Sequence, residues 1–115
     1  MPVRTKRVYV DPKPGDGTRI LVDRLWPRGV SKEAAALDDW MQAVAPSNEL
    51  RTWFDHDPER WPAFMRGYHA ELADKPEPIG RLRRLADEGT VTLVFAARDE
   101  THNNARALKE FIEAG

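Results

Sequence analysis

Three stretches of the chain have the residue pattern of β-strands. Residues 91–97 are apolar except for one threonine, and residues 20–25 begin with an unbroken apolar run of three. Continuous apolar runs are typical of strands that are covered on both faces of a sheet, so we expect residues 91–97 to form a central strand. Residues 6–10 alternate loosely and are rich in β-forming residues, which predicts an outer strand. Residues 11–17 concentrate Pro, Gly and Asp and predict a turn between the first two strands.

Other segments have the spacing of amphipathic helices. Three apolar stripes recur at intervals of three and four residues: Trp61, Phe64, Met65, Tyr68 and Leu72; Ile79, Leu82, Leu85 and Ala86; and Ala105, Leu108, Phe111 and Ile112. Asp57 followed by Pro58 predicts the start of the first of these helices. Gly89 predicts a left-handed cap at the end of the second. Ser47 is better explained as the N-cap of a further short helix than as a nucleophile.

Residues 34–45 allow two interpretations. Leu37, Trp40, Met41 and Val44 follow helical spacing after a possible N-cap at Ser31, which favours a helix that ends before Pro46. The alternative is a short helical turn near Ser31 followed by an extended segment over residues 37–41. The span is too short for the pattern to decide between them.

The order of these elements predicts the fold class. A helix, a short link, an apolar strand, a polar turn and another helix follow one another in the second half of the chain. This order favours an α/β fold with a small, mostly parallel sheet of three to four strands flanked by helices. The length of 115 residues fits a single domain over residues 1–115.

Composition narrows the classes of chemistry. The chain has no cysteine, which excludes disulfides, thiolate nucleophiles and cysteine-ligated metals. Its net charge of −1 lacks the basic field of proteins that wrap nucleic acid. Thirteen of the 18 basic residues are arginine, whose planar fork suits carboxylate and phosphate. The histidines have no metal-ligand spacing, and no apolar run approaches a membrane span or a signal peptide. We therefore expect a cytoplasmic protein without a metal, cofactor or membrane partner.

The candidate site lies where two apolar strands end. One strand runs into Asp23-Arg24 and the other into Arg98-Asp99. Ligands in α/β proteins bind beyond the carboxyl ends of strands, so parallel neighbours would bring both pairs to one edge. The functional interpretation is a pocket for a phosphate or carboxylate group. The structural alternative is that the ion pairs Asp23–Arg98 or Asp99–Arg24 tie the loops together.

Further residues are expected to join this edge. Proline at position 27 stiffens the chain and would aim the indole of Trp26 consistently, either to stack a ring or to seal the core beneath the loop. Arg28 and Gly29 follow in the same turn. The start of the last helix brings Asn104 and free N–H groups that favour anions. The complete set of ligand-binding candidates is Asp23, Arg24, Trp26, Arg28, Gly29, Ser47, Arg98, Asp99 and Asn104.

Three motifs resemble a known family. They are RILVDRLWPRG at 19–29, APSNELRTWFDHDP at 45–58 and VTLVFAARDETHNNA at 91–105. In this order and spacing they are similar to the YeaO-like branch of the DUF-488 family. The resemblance implies a compact cytosolic α/β domain with no agreed biochemical function. Other branches carry a cysteine just beyond the last strand, where this chain has Ala96-Ala97-Arg98-Asp99, so no thiol mechanism carries over.

Four hypotheses about function follow. The leading one is a binding module for a small anionic ligand, phosphate-bearing, held by Arg24, Arg28 and Arg98. The alternatives are a hydrolase that uses Asp23 or Asp99 with a histidine, a nucleic-acid-binding regulator, and a protein-interaction domain with exposed tryptophans. The sequence leaves the oligomeric state and any reaction open.

Overall fold

A four-stranded parallel sheet organises the chain. The computed structural model describes residues 2–114, with strands β1 (Val3–Arg7), β2 (Thr18–Leu21), β3 (Asp39–Trp40) and β4 (Val91–Phe95). Their order in the sheet is β1-β4-β2-β3, and every pairing is parallel. The predicted α/β fold with a small parallel sheet is confirmed, and β4 is a central strand as its apolar run indicated.

Five α-helices accompany the strands in the described part of the chain. They are α1 (Lys32–Ala35), α2 (Asn48–Phe54), α3 (Trp61–Ala73), α4 (Pro76–Glu88) and α5 (Asn104–Ala114). Short 3-10 helices cover Pro14–Asp16, Gln42–Val44 and Pro58–Arg60. None of the helices within residues 2–114 has the length and apolarity to cross a membrane.

Both faces of the sheet are covered, because successive residues of a strand point to opposite faces. Ile20 and Leu93 pack into the main core together with apolar residues of α2 to α5. Leu21 and Val94 face a smaller core formed with Ala35 of α1 and the loop that follows β2. The sheet therefore ends in loops that are held from both sides.

The segment at residues 34–45 follows the second interpretation, and the longer helix is wrong. Helix α1 ends after one turn, at Ala36 in the left-handed conformation with φ 48°. The Asp38 N–H then donates to the Arg19 carbonyl (2.8 Å), and the Asp38 carboxylate accepts from the Arg19 N–H (2.8 Å). These bonds to β2 pull residues 39–40 into the sheet as β3. Met41 and Val44 reach the core without an α-helix, Val44 from the short 3-10 helix Gln42–Val44, so their spacing reflects burial and not an α-helical stripe.

Three sequence-based details need correction. The outer strand is Val3–Arg7 and not residues 6–10, because the chain turns away after the Val8 N–H donates to Phe95. Strand β2 ends at Leu21 and β4 at Phe95, earlier than the apolar runs suggested. Gly89 ends α4 with φ 170°, which is extended backbone and not a left-handed cap.

A buried ionic network joins the start of β2 to β1. The Asp16 carboxylate, 4% exposed, accepts from Lys6 Nζ at 2.9 and 3.0 Å and from Arg19 Nη1 at 2.7 Å. Arg19 also donates to the carbonyl of Ala35 at the end of α1. Burial acts to raise the pKa of Asp16, but the hydrogen bonds from Lys6, the Lys13 N–H and Arg19 outweigh it and hold this pKa below its usual value.

Replacing Asp16 should therefore destabilise the fold strongly. We expect Asp16→Ala to lower the free energy of unfolding by about 3–5 kcal/mol, because the buried Arg19 guanidinium would lose its carboxylate. Urea unfolding at pH 7 measures the change. Asp87→Ala removes an exposed carboxylate on α4 and should cost less than about 0.5 kcal/mol. A loss below about 1 kcal/mol for Asp16→Ala would contradict the role given to this network.

Candidate functional site

The carboxyl ends of β2 and β4 meet at one edge of the sheet. The two strands pair in parallel, with Ile20 opposite Leu93 and Leu21 opposite Val94. The Val22 N–H continues the ladder by donating to the Val94 carbonyl at 3.0 Å. The expectation that these strand ends are neighbours is confirmed.

Asp23 connects three elements at this edge. Its Oδ2 accepts from the Ala96 N–H after β4 (2.9 Å), and its Oδ1 accepts from Asn104 Nδ2 of α5 (3.0 Å). The same Asn104 amide donates to the Val22 carbonyl at 3.1 Å. Burial raises the pKa of Asp23, while the donors from Asn104 and Ala96 oppose that rise. The carboxylate is thus held by neutral donors and not by an arginine.

Arg24 lies beside Asp23 with its guanidinium partly unsatisfied. Its Nη2 donates to the Pro46 carbonyl at 3.3 Å. Its Nε is buried and has no hydrogen-bond partner among the described residues. A buried donor without a partner costs about 1–3 kcal/mol, so Arg24 holds this position at a cost in stability.

Trp26 is held by a hydrogen bond from its ring nitrogen and by contact with the ring of Trp40. Its Nε1 donates to the Val30 carbonyl at 2.7 Å, and its ring meets that of Trp40 edge-on at 5.5 Å. Trp40 in turn donates from Nε1 to the Asp23 carbonyl at 2.7 Å. Trp26 packs against the smaller core, as the sealing role requires, and it also lines the cavity described next. Whether it stacks a ligand ring stays a prediction.

A cavity of about 370 Å³ opens at this edge. Its walls come from the loop after β2, the segment before α2, α2 itself and the link from β4 to α5. The lining residues are Tyr9, Asp23, Arg24, Leu25, Trp26, Pro27, Arg28, Ala45, Pro46, Arg51, Phe54, His56, Phe64, Ala96, Ala97, His102, Asn103 and Asn104. The volume lies within the range of pockets that bind small molecules.

Positive charge dominates the ionisable groups around the cavity. Arg24, Arg28 and Arg51 line it, and none of the three forms an ion pair with a described carboxylate. Within residues 2–114, the Arg51 guanidinium makes one long hydrogen bond, to the Asn48 side chain at 3.4 Å. Asp23 is the single acidic residue in the lining, and both of its oxygens are already engaged.

The remaining candidates from the sequence lie outside the cavity lining. Gly29 has φ 76° in the turn before α1, and Arg98 is exposed. Ser47 caps α2 through its Oγ, and the Glu71 carboxylate accepts from its Oγ and N–H at 2.6 and 2.8 Å. Hydrogen bonds from the His102 and Thr101 N–H groups hold the pKa of Asp99 well below its usual range. Neither expected ion pair, Asp23–Arg98 or Asp99–Arg24, forms among residues 2–114.

Several lining residues were not among the candidates from the sequence. Arg51 and Phe54 lie in the second of the three family-like motifs, residues 45–58. Their place in that motif was the sequence signal that could have identified them as lining residues. His102 lies with Nδ1 3.0 Å from Asp99 Oδ2 and with its ring edge-on to Trp61. Tyr9 reaches the cavity from the end of β1, where its hydroxyl donates to the Arg28 carbonyl at 3.0 Å. Nothing in the sequence pattern pointed to Tyr9.

The fold and this edge define a class of protein: a parallel α/β domain with an arginine-lined cavity beyond the carboxyl ends of its strands. Comparison of sequences then places it in a family. Residues 2–115 match the family described as the inactive DUF488-N3 subclade, and the chain belongs to that family. It is 40% identical to the uncharacterised protein YeaO of Escherichia coli K12, over 99% of each chain. It is 42% identical to the uncharacterised protein Rv3073c of Mycobacterium tuberculosis, over 96% of this chain and 92% of that one. No solved structure matches significantly.

The link through Asn104 should have a pH-dependent effect on stability. We expect Asn104→Ala to lower the free energy of unfolding by about 1–3 kcal/mol at pH 7, because buried Asp23 and the Val22 carbonyl lose a donor. The part due to Asp23 concerns its ionised form. The Asn104 bond lowers the pKa of Asp23, so its loss raises this already raised pKa further. That part of the cost is therefore complete above the pKa of Asp23 in the variant and disappears as the pH falls from there through the pKa of the wild type. Urea unfolding at several pH values between 7 and 4 measures both parts.

Asn48→Ala provides the matched control. Asn48 is exposed at the start of α2 and has no contact with a buried carboxylate, so its replacement should cost little and show no such pH dependence. A loss for Asn104→Ala that stays constant from pH 7 to pH 4 would mean that Asp23 gains nothing from the amide.

Proposed function

We propose that the protein is a non-catalytic module that binds a small anionic ligand of the phosphate type in this cavity. The observation that carries the proposal is that Arg24, Arg28 and Arg51 line one cavity and form no ion pair with a carboxylate among residues 2–114. Anionic acceptors form their strongest hydrogen bonds with such guanidinium groups. A phosphate or carboxylate group in the cavity would supply both acceptors and negative charge to them.

The non-catalytic part of the proposal has separate support. The cavity wall beyond β4 consists of Ala96 and Ala97, where other branches of the DUF-488 family carry a cysteine. Alanine offers no nucleophile and no proton. The description of the matched subclade as inactive agrees with this loss.

The expected stabilisation is large enough to measure. A charge-assisted hydrogen bond contributes about 1.5–3 kcal/mol. A ligand at 100 times its Kd stabilises the folded state by about 2.7 kcal/mol, which raises Tm by several degrees for a domain of this size.

A thermal-shift screen with inorganic phosphate, nucleotides and sugar phosphates tests the proposal. We expect at least one of these compounds to raise Tm of the wild type, and Arg24→Ala to abolish the shift while the domain remains folded. Arg66→Ala removes one positive charge from an exposed position of α3 outside the cavity and should leave the shift unchanged. An equal shift in Arg24→Ala and the wild type would exclude this site, and no shift with any compound would exclude the proposal.

A second candidate function is hydrolysis with His102 as a general base. His102 lines the cavity, and Asp99 holds its ring through Nδ1, an arrangement that orients a base. This hypothesis predicts turnover of p-nitrophenyl phosphate by the wild type and its loss in His102→Gln with unchanged unfolding. Absence of turnover in the wild type would remove phosphomonoester hydrolysis from consideration.

A further inference from the structure

We infer that the ligand is an amphipathic organic anion, with one anionic group and an apolar body such as an aromatic ring. This inference rests on the proposed function and specifies the ligand of the same cavity. Three observations support it: the position of the apolar lining, the position of the arginines and the position of the Asp23 carboxylate.

The inner part of the cavity is apolar. Phe54, Phe64 and Ala45 line it while being 6%, 2% and 0% exposed, so the surface that they offer lies at the bottom of the cavity. The rings of Phe54 and Phe64 stack with their centroids 4.4 Å apart. Ala97, which packs against the same core as these two rings, also lines the cavity with a side chain that has no polar atom. Most of the surface that the cavity as a whole exposes to solvent is apolar. Inorganic phosphate would leave that surface in contact with water, whereas an apolar body would cover it.

The positive charge lies nearer the mouth. Arg28 and Arg51 line the cavity and are exposed residues, while Arg24 is only partly exposed and lies further in. An anionic group at the mouth would face Arg28 and Arg51, with Arg24 deeper in the cavity. An apolar body attached to it would extend toward Phe54 and Phe64.

Asp23 fixes this orientation. Its carboxyl lies against the inner wall, since Oδ2 accepts from the Ala96 N–H at 2.9 Å. A negative group placed at the inner end would face this partly buried carboxylate, and two like charges close together are unfavourable. The anionic group is therefore directed toward the arginines, and a ligand with charges at both ends is disfavoured.

Titration of three phosphates by isothermal calorimetry tests the inference. Inorganic phosphate provides the anionic group alone. Glycerol phosphate adds a polar glycerol group, and phenyl phosphate adds an aromatic ring. We expect phenyl phosphate to bind at least about tenfold more tightly than glycerol phosphate, which corresponds to about 1.4 kcal/mol. Arg24→Ala should weaken the binding of all three.

A substitution in the inner wall distinguishes the contribution of the apolar part of the ligand to affinity from that of its anionic group. Ala97→Leu places a larger side chain against the space that the ring would occupy and keeps the three arginines. It should reduce the affinity for phenyl phosphate to that for glycerol phosphate and leave inorganic phosphate unchanged. If this variant does not fold, the comparison of the three ligands on the wild type still decides.

The outcomes distinguish the two proposals. Equal affinity for phenyl phosphate and glycerol phosphate, both dependent on Arg24, would overturn the amphipathic ligand and keep the anion site. No binding by any of the three would overturn both. Tighter binding of phenyl phosphate that Ala97→Leu does not reduce would place the ring outside the cavity and contradict the inference.

Discussion

The carboxylate of Asp23 is the contact on which the arrangement of this edge depends. It joins the end of β2 to the backbone just beyond β4 and to the first residue of α5, through bonds of 2.9 and 3.0 Å. Without it, the loops after two neighbouring strands would have no common partner at the point where the ladder ends. A carboxylate suits this position because it accepts two bonds at once from different directions. The cavity is the space that remains between loops held apart in this way.

The opposite wall of the cavity is positioned from α3. The Tyr68 hydroxyl donates to the Val44 carbonyl, and Glu71 accepts two bonds from Ser47. Burial, together with the nearby carboxylates of Asp23 and Glu71, raises the pKa of Tyr68 well above its usual range, so the phenol stays a neutral donor. These contacts fix the segment that contributes Ala45 and Pro46 to the cavity. The Pro46 carbonyl then accepts a hydrogen bond from Arg24, so the segment before α2 orients the guanidinium group on the loop after β2.

The sequence predicted which residues meet at this edge of the sheet better than it predicted the contacts among them. The apolar runs before Asp23 and after Thr90 located two strand ends, and parallel pairing brought Arg24, Arg28 and Asn104 to one cavity. The hydrogen-bond partners of the two carboxylates were harder to predict. The sequence suggested ion pairs with arginines, but Asp23 and Asp99 accept from amide and backbone N–H groups. The segment at 34–45 was ambiguous for a similar reason. Its fate depended on hydrogen bonds between Asp38 and Arg19, which lie 19 positions apart and leave no local pattern.

The choice of neutral donors for Asp23 has an electrostatic consequence. Had an arginine neutralised this carboxylate, the cavity would contain a closed ion pair and little net field. Instead Asn104 and the Ala96 N–H satisfy Asp23, and the guanidinium of Arg24 keeps donors that no described residue uses. Holding an unneutralised cation beside a buried cavity costs free energy that packing must offset. The proposed anion accounts for that arrangement, because it would supply the missing charge and the missing acceptor with one group.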